Sequence, residues 1–144
     1  MSVSLQFPLI RKDDWPPVGT ESLPFDPLPL GFRALVAPLF VKDLSVGDVI
    51  RIVEGDSHLV GSWTHIQKSR RTTIWLLRLD EHNEIDASLE ELRSMGCNTV
   101  GLPKFGCYAV DVPEEISIVD VDAVLAKLDS NSVAVVFPSM RHPD

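Results

Sequence analysis

Long hydrophobic runs are absent from this sequence, which excludes a protein anchored by membrane-spanning helices. No apolar stretch approaches the roughly 20 residues with which a helix crosses the hydrocarbon core of a bilayer. Residues 1–7 also lack the basic start and the long apolar core of a secretory signal peptide. We therefore expect a cytoplasmic protein.

An excess of positive charge is missing too. The chain carries 13 Lys and Arg residues against 21 Asp and Glu residues, for a formal net charge of −8. Because nucleic acids and anionic membranes attract basic proteins, we expect direct binding to neither. The negative balance suits a basic protein partner. The alternative is that the acidic residues only keep the protein soluble.

Cysteine occurs only twice, as Cys97 and Cys107. Residues 103–106, Pro-Lys-Phe-Gly, predict the turn of a hairpin in which Leu102 faces Cys107 and Cys97 faces Val112. The two thiols would then lie about 16 Å apart along the ladder, whereas a disulfide requires Cα atoms within about 7 Å. We expect two reduced thiols.

Motifs for catalysis and metal binding are also missing. The sequence contains no His-Glu-x-x-His, no Cys-x-x-Cys, no Gly-x-Ser-x-Gly and no glycine-rich phosphate loop. No histidine lies on a predicted helix with a second ligand one helical turn away. We therefore predict that the protein is not an enzyme and uses no metal or cofactor. The four histidines are His58, His65, His82 and His142.

The second half of the chain does contain a complete supersecondary pattern. Short β-type runs alternate with two stretches in which apolar residues recur at helical spacing. The order strand, helix, strand, strand, helix, strand predicts a ferredoxin-like βαββαβ unit and therefore an α+β protein. Because this fold carries many unrelated activities, it predicts no function. The unit spans residues 72–138, with strands at 74–79, 98–102, 107–112 and 133–137 and helices at about 85–95 and 118–128.

The first half of the chain predicts short strands separated by frequent turns. Residues 20–71 fit a small antiparallel β subdomain, either barrel-like or a strongly bent sheet. Pro24 interrupts the first of these strands and predicts that this strand lies at a sheet edge. Residues 1–19, rich in proline, are assigned to an N-terminal arm, and residues 139–144 to a tail.

Acidic residues gather at the two predicted helices, in greater number than helix termini require. Carboxylates in a first helical turn stabilise the helix dipole, which explains some of them. Both helices would lie on one face of a ferredoxin-like sheet, so their acids would form one extended negative surface. That surface is either only solvated or docks a basic partner. The candidate partner-binding residues are Glu84, Asp86, Glu90 and Glu91 on the first helix and Asp120 and Asp122 on the second.

Three short motifs occur in a recognisable order: Gly-Asp-Val-Ile at 47–50, Gly-Cys at 96–97 and Tyr-Ala-Val-Asp-Val-Pro at 108–113. In order and spacing they resemble bacterial domain-of-unknown-function family 4265, over roughly residues 20–137. The resemblance implies a small bacterial cytosolic protein without a known catalytic residue, and some such proteins look like immunity proteins encoded beside secreted antibacterial toxins. Residues 1–19 depart from the family's pattern, and the family offers no site residue to carry over.

Two functions from different classes fit these observations. The first is an immunity protein that occludes the active site of a cognate toxin. That toxin is expected to be a nuclease, because a surface that holds phosphates must be basic. The alternative is a ligand-sensing regulatory domain that acts as a homodimer. An enzyme with a general base among the acidic residues is the third and least favoured interpretation.

Overall fold

The structure is a computed structural model that describes residues 2–80 and 84–143. Within these residues it contains strands that form two antiparallel sheets, and two α-helices. None of the described helices is both long enough and apolar enough to cross a membrane. The elements are β1 (Val3–Pro8), β2 (Thr20–Leu28), β3 (Gly31–Ala34), β4 (Val49–Glu54), β5 (Val60–Gln67), β6 (Thr72–Arg78), α1 (Glu84–Ser94), β7 (Asn98–Leu102), β8 (Cys107–Val112), α2 (Ile118–Leu125) and β9 (Val133–Ser139).

The first sheet has five strands in the order β1-β2-β3-β4-β5. It is strongly bent, because the rings of Phe7 in β1 and Trp63 in β5 lie 6.3 Å apart between centroids. In a flat sheet the first and fifth strands would be about 19 Å apart. Among the described residues β1 does not pair with β5, so the predicted barrel-like alternative is wrong and the bent sheet describes the subdomain.

The arm predicted for residues 1–19 contains β1, which pairs with β2 along its whole length. Val3, Leu5 and Phe7 alternate with polar neighbours, and this period of two places them on the core side of the sheet. The prediction that Pro24 marks an edge strand is wrong. It lies in β2, between β1 and β3, because β1 covers the edge that β2 would otherwise expose.

The second sheet has four strands in the order β7-β8-β6-β9, all antiparallel to their neighbours. The α+β class is therefore confirmed. In the hairpin between β7 and β8, Leu102 faces Cys107 as the sequence predicts, and Gly106 closes the turn at φ 66°. Gly96 ends α1 with a φ of 108°, a conformation that a side chain would oppose.

Two layers cover the two faces of the second sheet. On one face, Ile74 and Leu76 of β6 pack against both helices in a single apolar core. On the other face, β6 contacts the first sheet and its loops. The Trp75 indole Nε1 donates to the Pro38 carbonyl at 2.8 Å, and the hydroxyls of Thr73 and Ser45 lie 2.8 Å apart. The molecule is thus a layer of helices, a central sheet and a bent outer sheet.

Candidate functional site

The helical layer carries the predicted acidic surface. Helices α1 and α2 contact each other and bury their apolar sides in the same core. The opposite sides are exposed to solvent. The structure brings five of the six candidate partner-binding residues onto this layer as exposed side chains, while the side chain of Glu84 lies outside the described residues. The five are Asp86, Glu90, Glu91, Asp120 and Asp122.

Two of these five carboxylates are neutralised by bases of the protein itself. Glu90 pairs with Arg93 at 2.9 Å along α1, and Glu91 of α1 pairs at 3.0 Å with Lys127, which follows the end of α2. Asp86, Asp120 and Asp122 form no ion pair with any described residue. The charge that this layer can offer a partner is therefore concentrated on three aspartates, which we call the aspartate surface.

A cleft of about 620 Å³ opens on the other side of the second sheet, between that sheet and the first. Its walls come from the end of β1, the segment at 9–16 that follows β1, the loop at 39–42, β5 and the outer face of β6. All three tryptophans of the chain line it: Trp15, Trp63 and Trp75. Concave, mainly apolar spaces of this size are typical of small-molecule sites.

A buried carboxylate fixes one wall of the cleft. Glu21 of β2 accepts backbone N–H groups from Leu39, Phe40 and Val41 at 2.6, 3.0 and 3.0 Å. Burial raises the pKa of Glu21 above its ordinary value, and the three hydrogen bonds oppose this effect without cancelling it. Because these donors lie in the loop itself, Glu21 holds the loop in the shape that forms the cleft wall.

A buried ion pair outside the cleft ties the two sheets together. Asp48, fully buried just before β4, accepts a hydrogen bond from each terminal nitrogen of Arg141, both at 2.9 Å. It also accepts the Ser69 N–H at 2.8 Å and the Ser45 N–H at 3.0 Å, and His65 Nε2 lies 2.9 Å away. Burial alone would raise the pKa of Asp48, but these hydrogen bonds together hold it below its ordinary value.

A second buried pair joins the linker between the sheets to β8. Arg71 donates to both oxygens of Asp111, and Asn98 Nδ2 donates to the same carboxylate at 2.9 Å. The Asp111 side chain is 1% exposed. The linker at 68–71, which the sequence presents as a basic cluster, is therefore anchored at this end by a structural ion pair.

The cysteines and histidines have structural environments. Both thiols are free and buried, and burial together with the nearby Asp111 raises the pKa of Cys97 to about 11, which suppresses the nucleophilic thiolate. Burial also raises the pKa of Cys107. His142 lies 2.7 Å from the Thr72 hydroxyl and 2.9 Å from the Pro113 carbonyl. His82 lies outside the described residues. Across the described ranges, no group of three or more His, Cys, Asp or Glu residues is placed to hold a metal ion.

The sequence predicted acidic residues on both helices, but it distinguished neither the three unpaired aspartates, nor the cleft, nor the two buried pairs. The sequence could have identified Asp48 and Asp111, the aspartates of the 47–50 and 108–113 motifs, as buried carboxylates, because each lies among strand residues that the fold buries. It could not have identified their arginine partners, since Arg141 lies 93 residues from Asp48 and Arg71 lies 40 residues from Asp111.

These features define an α+β protein with an acidic helical layer on one side of a central sheet and an aromatic cleft on the other. The family model described as "Domain of unknown function (DUF4265)" matches residues 30–135. Since this match covers more than half of the chain, the protein belongs to that family, as the resemblance in the sequence indicated.

A solved structure shares the fold. The chain is similar to a hypothetical protein from Neisseria gonorrhoeae known from a crystal structure, with a TM-score of 0.72 and 19% sequence identity. The similarity covers 98% of each chain, so the two sheets and the helical layer correspond as a whole. No curated protein matches the chain.

Proposed function

We propose that this protein is an immunity protein that binds and neutralises a cognate secreted antibacterial toxin through its helical layer. The observation that carries the proposal is the aspartate surface: Asp86, Asp120 and Asp122 are exposed and form no ion pair with a described residue. The net charge of −8 strengthens the negative field around this layer and would steer a basic partner towards it.

A nuclease is the toxin class that this surface suits best. A nuclease holds phosphates with basic side chains, and carboxylates of an inhibitor can occupy the positions of those phosphates. The protein would act in the cytoplasm, where a toxin delivered during bacterial competition, for example by type VI secretion, meets its nucleic-acid substrate. Its role is stoichiometric binding rather than catalysis.

The residues are expected to contribute unequally. Truncating a charge that becomes desolvated in an interface costs about 2–5 kcal/mol of binding, whereas a charge at the rim costs far less. Asp86, Asp120 and Asp122 can turn to a partner without losing an existing ion pair. Glu90 and Glu91 must first leave Arg93 and Lys127, so we expect smaller effects from these two.

The test is affinity purification of the tagged protein from a lysate of its native bacterium, with mass spectrometry of the proteins that co-purify. We expect one stoichiometric basic protein, encoded beside this gene. The triple variant Asp86→Asn, Asp120→Asn, Asp122→Asn should bind this protein at least about tenfold more weakly when the affinity is then measured by titration. Equal affinity of the triple variant would show that the partner docks elsewhere.

A matched control separates a docking surface from a general effect of charge. The variant Asp13→Asn, Asp14→Asn, Asp56→Asn removes the same three charges from exposed residues outside the helical layer. Asp13 and Asp14 have φ values of 54° and 61°, which asparagine tolerates. This control should keep the affinity of the wild type. If both triple variants weaken binding equally, net charge and not this surface is responsible.

A ligand-sensing homodimer is the second candidate, favoured by the edge strand β9. This strand ends the sheet order and exposes Val136 and Phe137, which are 47% and 40% accessible. A partner copy could extend the sheet at this edge. A stable dimer in solution, together with a melting temperature that rises with ligand, would support this candidate. A strict monomer would remove it.

The proposed fold family of residues 72–138 is ferredoxin-like. Its support is the strand order β7-β8-β6-β9, with antiparallel pairing throughout and with both helices packed on one face. An experimental structure in which the connections or the strand order differ would overturn this assignment.

A further inference from the structure

The cleft between the two sheets has the dimensions and the lining of a small-molecule site. At about 620 Å³ it falls in the range of pockets that enclose drug-sized ligands. Its floor is the outer face of β6, where Trp75 and Leu77 lie, and Cys107 of β8 lies beside them. Trp75 and Leu77 alternate along β6, and Cys107 is paired with Leu77, so the three side chains share one face of the sheet.

Two pairs of aromatic rings form part of the walls. Trp15 meets Phe40 edge to face at 6.1 Å between ring centroids, and Trp63 meets Phe7 in the same way at 6.3 Å. Neither Trp15 nor Trp63 donates its indole N–H to an acceptor within the described ranges. Ring faces attract planar apolar groups, and free indole N–H groups are donors for oxygen atoms of a ligand.

Among the residues that the structure describes, a single charged one lines the cleft. Lys42 is exposed, and it forms no ion pair with any residue that the structure describes. Lys42 can therefore pair with a ligand in the cleft without leaving a partner within the described part of the protein. The charge complement of this lysine is an anion of one or two oxygens, such as a carboxylate.

The cleft is also preorganised. Glu21 holds the loop at 39–41 by three hydrogen bonds, and the Trp75 indole is fixed by the Pro38 carbonyl at 2.8 Å. The segment at 9–16 is attached at its base by the Leu9 N–H, which donates to the Gly19 carbonyl at 2.9 Å. A site whose walls are already held in place loses little conformational entropy when a ligand binds.

We propose that this cleft binds a small aromatic carboxylate, with its rings between the tryptophans and its carboxylate at Lys42. The site is separate from the aspartate surface, because the central sheet lies between them. It does not depend on the immunity function, and it supplies the ligand class that the sensing candidate requires.

The test uses biphenyl-4-carboxylate as the ligand, titrated into the full-length protein by calorimetry and by intrinsic tryptophan fluorescence. Because every tryptophan of the chain lines the cleft, the whole fluorescence signal reports on this site. We expect one binding site per chain and a saturable fluorescence change. The neutral analogue biphenyl-4-carboxamide should bind about tenfold more weakly, since it cannot pair with the lysine.

Three variants make the assignment specific. Lys42→Gln should weaken the carboxylate about tenfold and leave the carboxamide unchanged, and Trp15→Ala should weaken both ligands about tenfold. Lys127→Gln, which removes the same charge from the helical layer on the other side of the central sheet, should bind both like the wild type. Absence of binding, or binding unaffected by Lys42→Gln and Trp15→Ala, overturns the proposal. Binding by a strict monomer sustains the site and removes the sensing homodimer.

Discussion

On the second sheet, adjacent residues of one strand meet two different environments. Both Leu76 and Leu77 of β6 border the cleft, but Leu76 is 1% exposed and belongs to the apolar core beneath both helices, whereas Leu77 is outside that core and only partly buried. The helix side is filled by apolar side chains. On the cleft side, buried ion pairs bridge the two sheets in one region, and the cleft leaves them apart in another.

The difference separates stability from binding. A close-packed face stabilises the fold and leaves no room for a ligand, so the helical layer can act only through its outer, charged surface. The face that the bent sheet covers incompletely can accept a ligand within the molecule, and it relies on polar contacts such as that of Asp48 with Arg141 to keep the two sheets together. The predictions below test this division.

The largest effect is expected where the sheets are tied together. Asp48→Ala leaves the Arg141 guanidinium without its buried carboxylate partner and should lower the free energy of unfolding by about 3–5 kcal/mol. Asp43→Asn is the matched control, because Asp43 contacts the same guanidinium at 3.4 Å but is 54% exposed. It should cost less than about 1 kcal/mol. Urea unfolding measures both, and equal losses would contradict a specific role for Asp48.

The two faces can be compared directly with neighbouring leucines. Leu76→Ala opens a cavity under the helices and should cost about 2–5 kcal/mol. Leu77→Ala only widens an existing cleft, so we expect at most about half of that loss. Both values come from denaturant unfolding of otherwise identical chains. A larger loss from Leu77→Ala would mean that the cleft face is packed as tightly as the helix face.

Two buried carboxyls should give opposite responses to pH. The pKa of Asp48 is lowered in the folded protein, so its stabilising contribution is present above its ordinary value of 3.8 and is lost as the pH falls through the folded value. The pKa of Glu21 is raised above 4.5, so the folded state gains stability relative to the unfolded state as the pH falls through the raised value.

Variants assign these responses to the two residues. As the pH falls towards about 4.5, the stability difference between the wild type and Glu21→Gln should shift in favour of the wild type. Below about 3.8, the difference between the wild type and Asp48→Asn should shift against the wild type. Unfolding free energies measured across this pH range give both differences. Differences that do not vary with pH would refute both assignments.

The smallest effect is expected on the outside of the helical layer. Lys127→Gln removes the ion pair between Lys127 and Glu91. The side chains of these two residues are 63% and 45% exposed. Exposed pairs of this kind contribute less than about 1 kcal/mol, and salt screens them. Thermal unfolding at low and high salt measures the loss. A loss that is large and independent of salt would mean that the pair supports the fold.

The sequence predicted those parts of the molecule that depend on neighbouring residues. Helical periodicity placed both helices, and the Pro103–Gly106 turn gave the register of Leu102 against Cys107. The prolines of the first 19 residues obscured β1, whose alternation of Val3, Leu5 and Phe7 is correct for a strand. Because β1 was missed, Pro24 was assigned to an edge.

The cleft could not be predicted, because its walls come from segments far apart in the chain. Trp15, Trp63 and Trp75 show no common period, and only the stacking of one sheet on the other brings them together. The arginine partners of Asp48 and Asp111 were hidden for the same reason. The exposed acids of the helices, by contrast, follow from helical spacing alone, although the ion pairs that leave only three of them unpaired do not.

The division between the two faces is tested most directly by a two-dimensional amide NMR spectrum of the protein, recorded during a titration with biphenyl-4-carboxylate. The three indole N–H signals should all shift and saturate together, while the amide signals of Asp86, Asp120 and Asp122 on the helical layer should not move. Indole signals that stay in place, or shifts centred on α1 and α2, would contradict the assignment of the cleft as the ligand site and the helical layer as a separate surface.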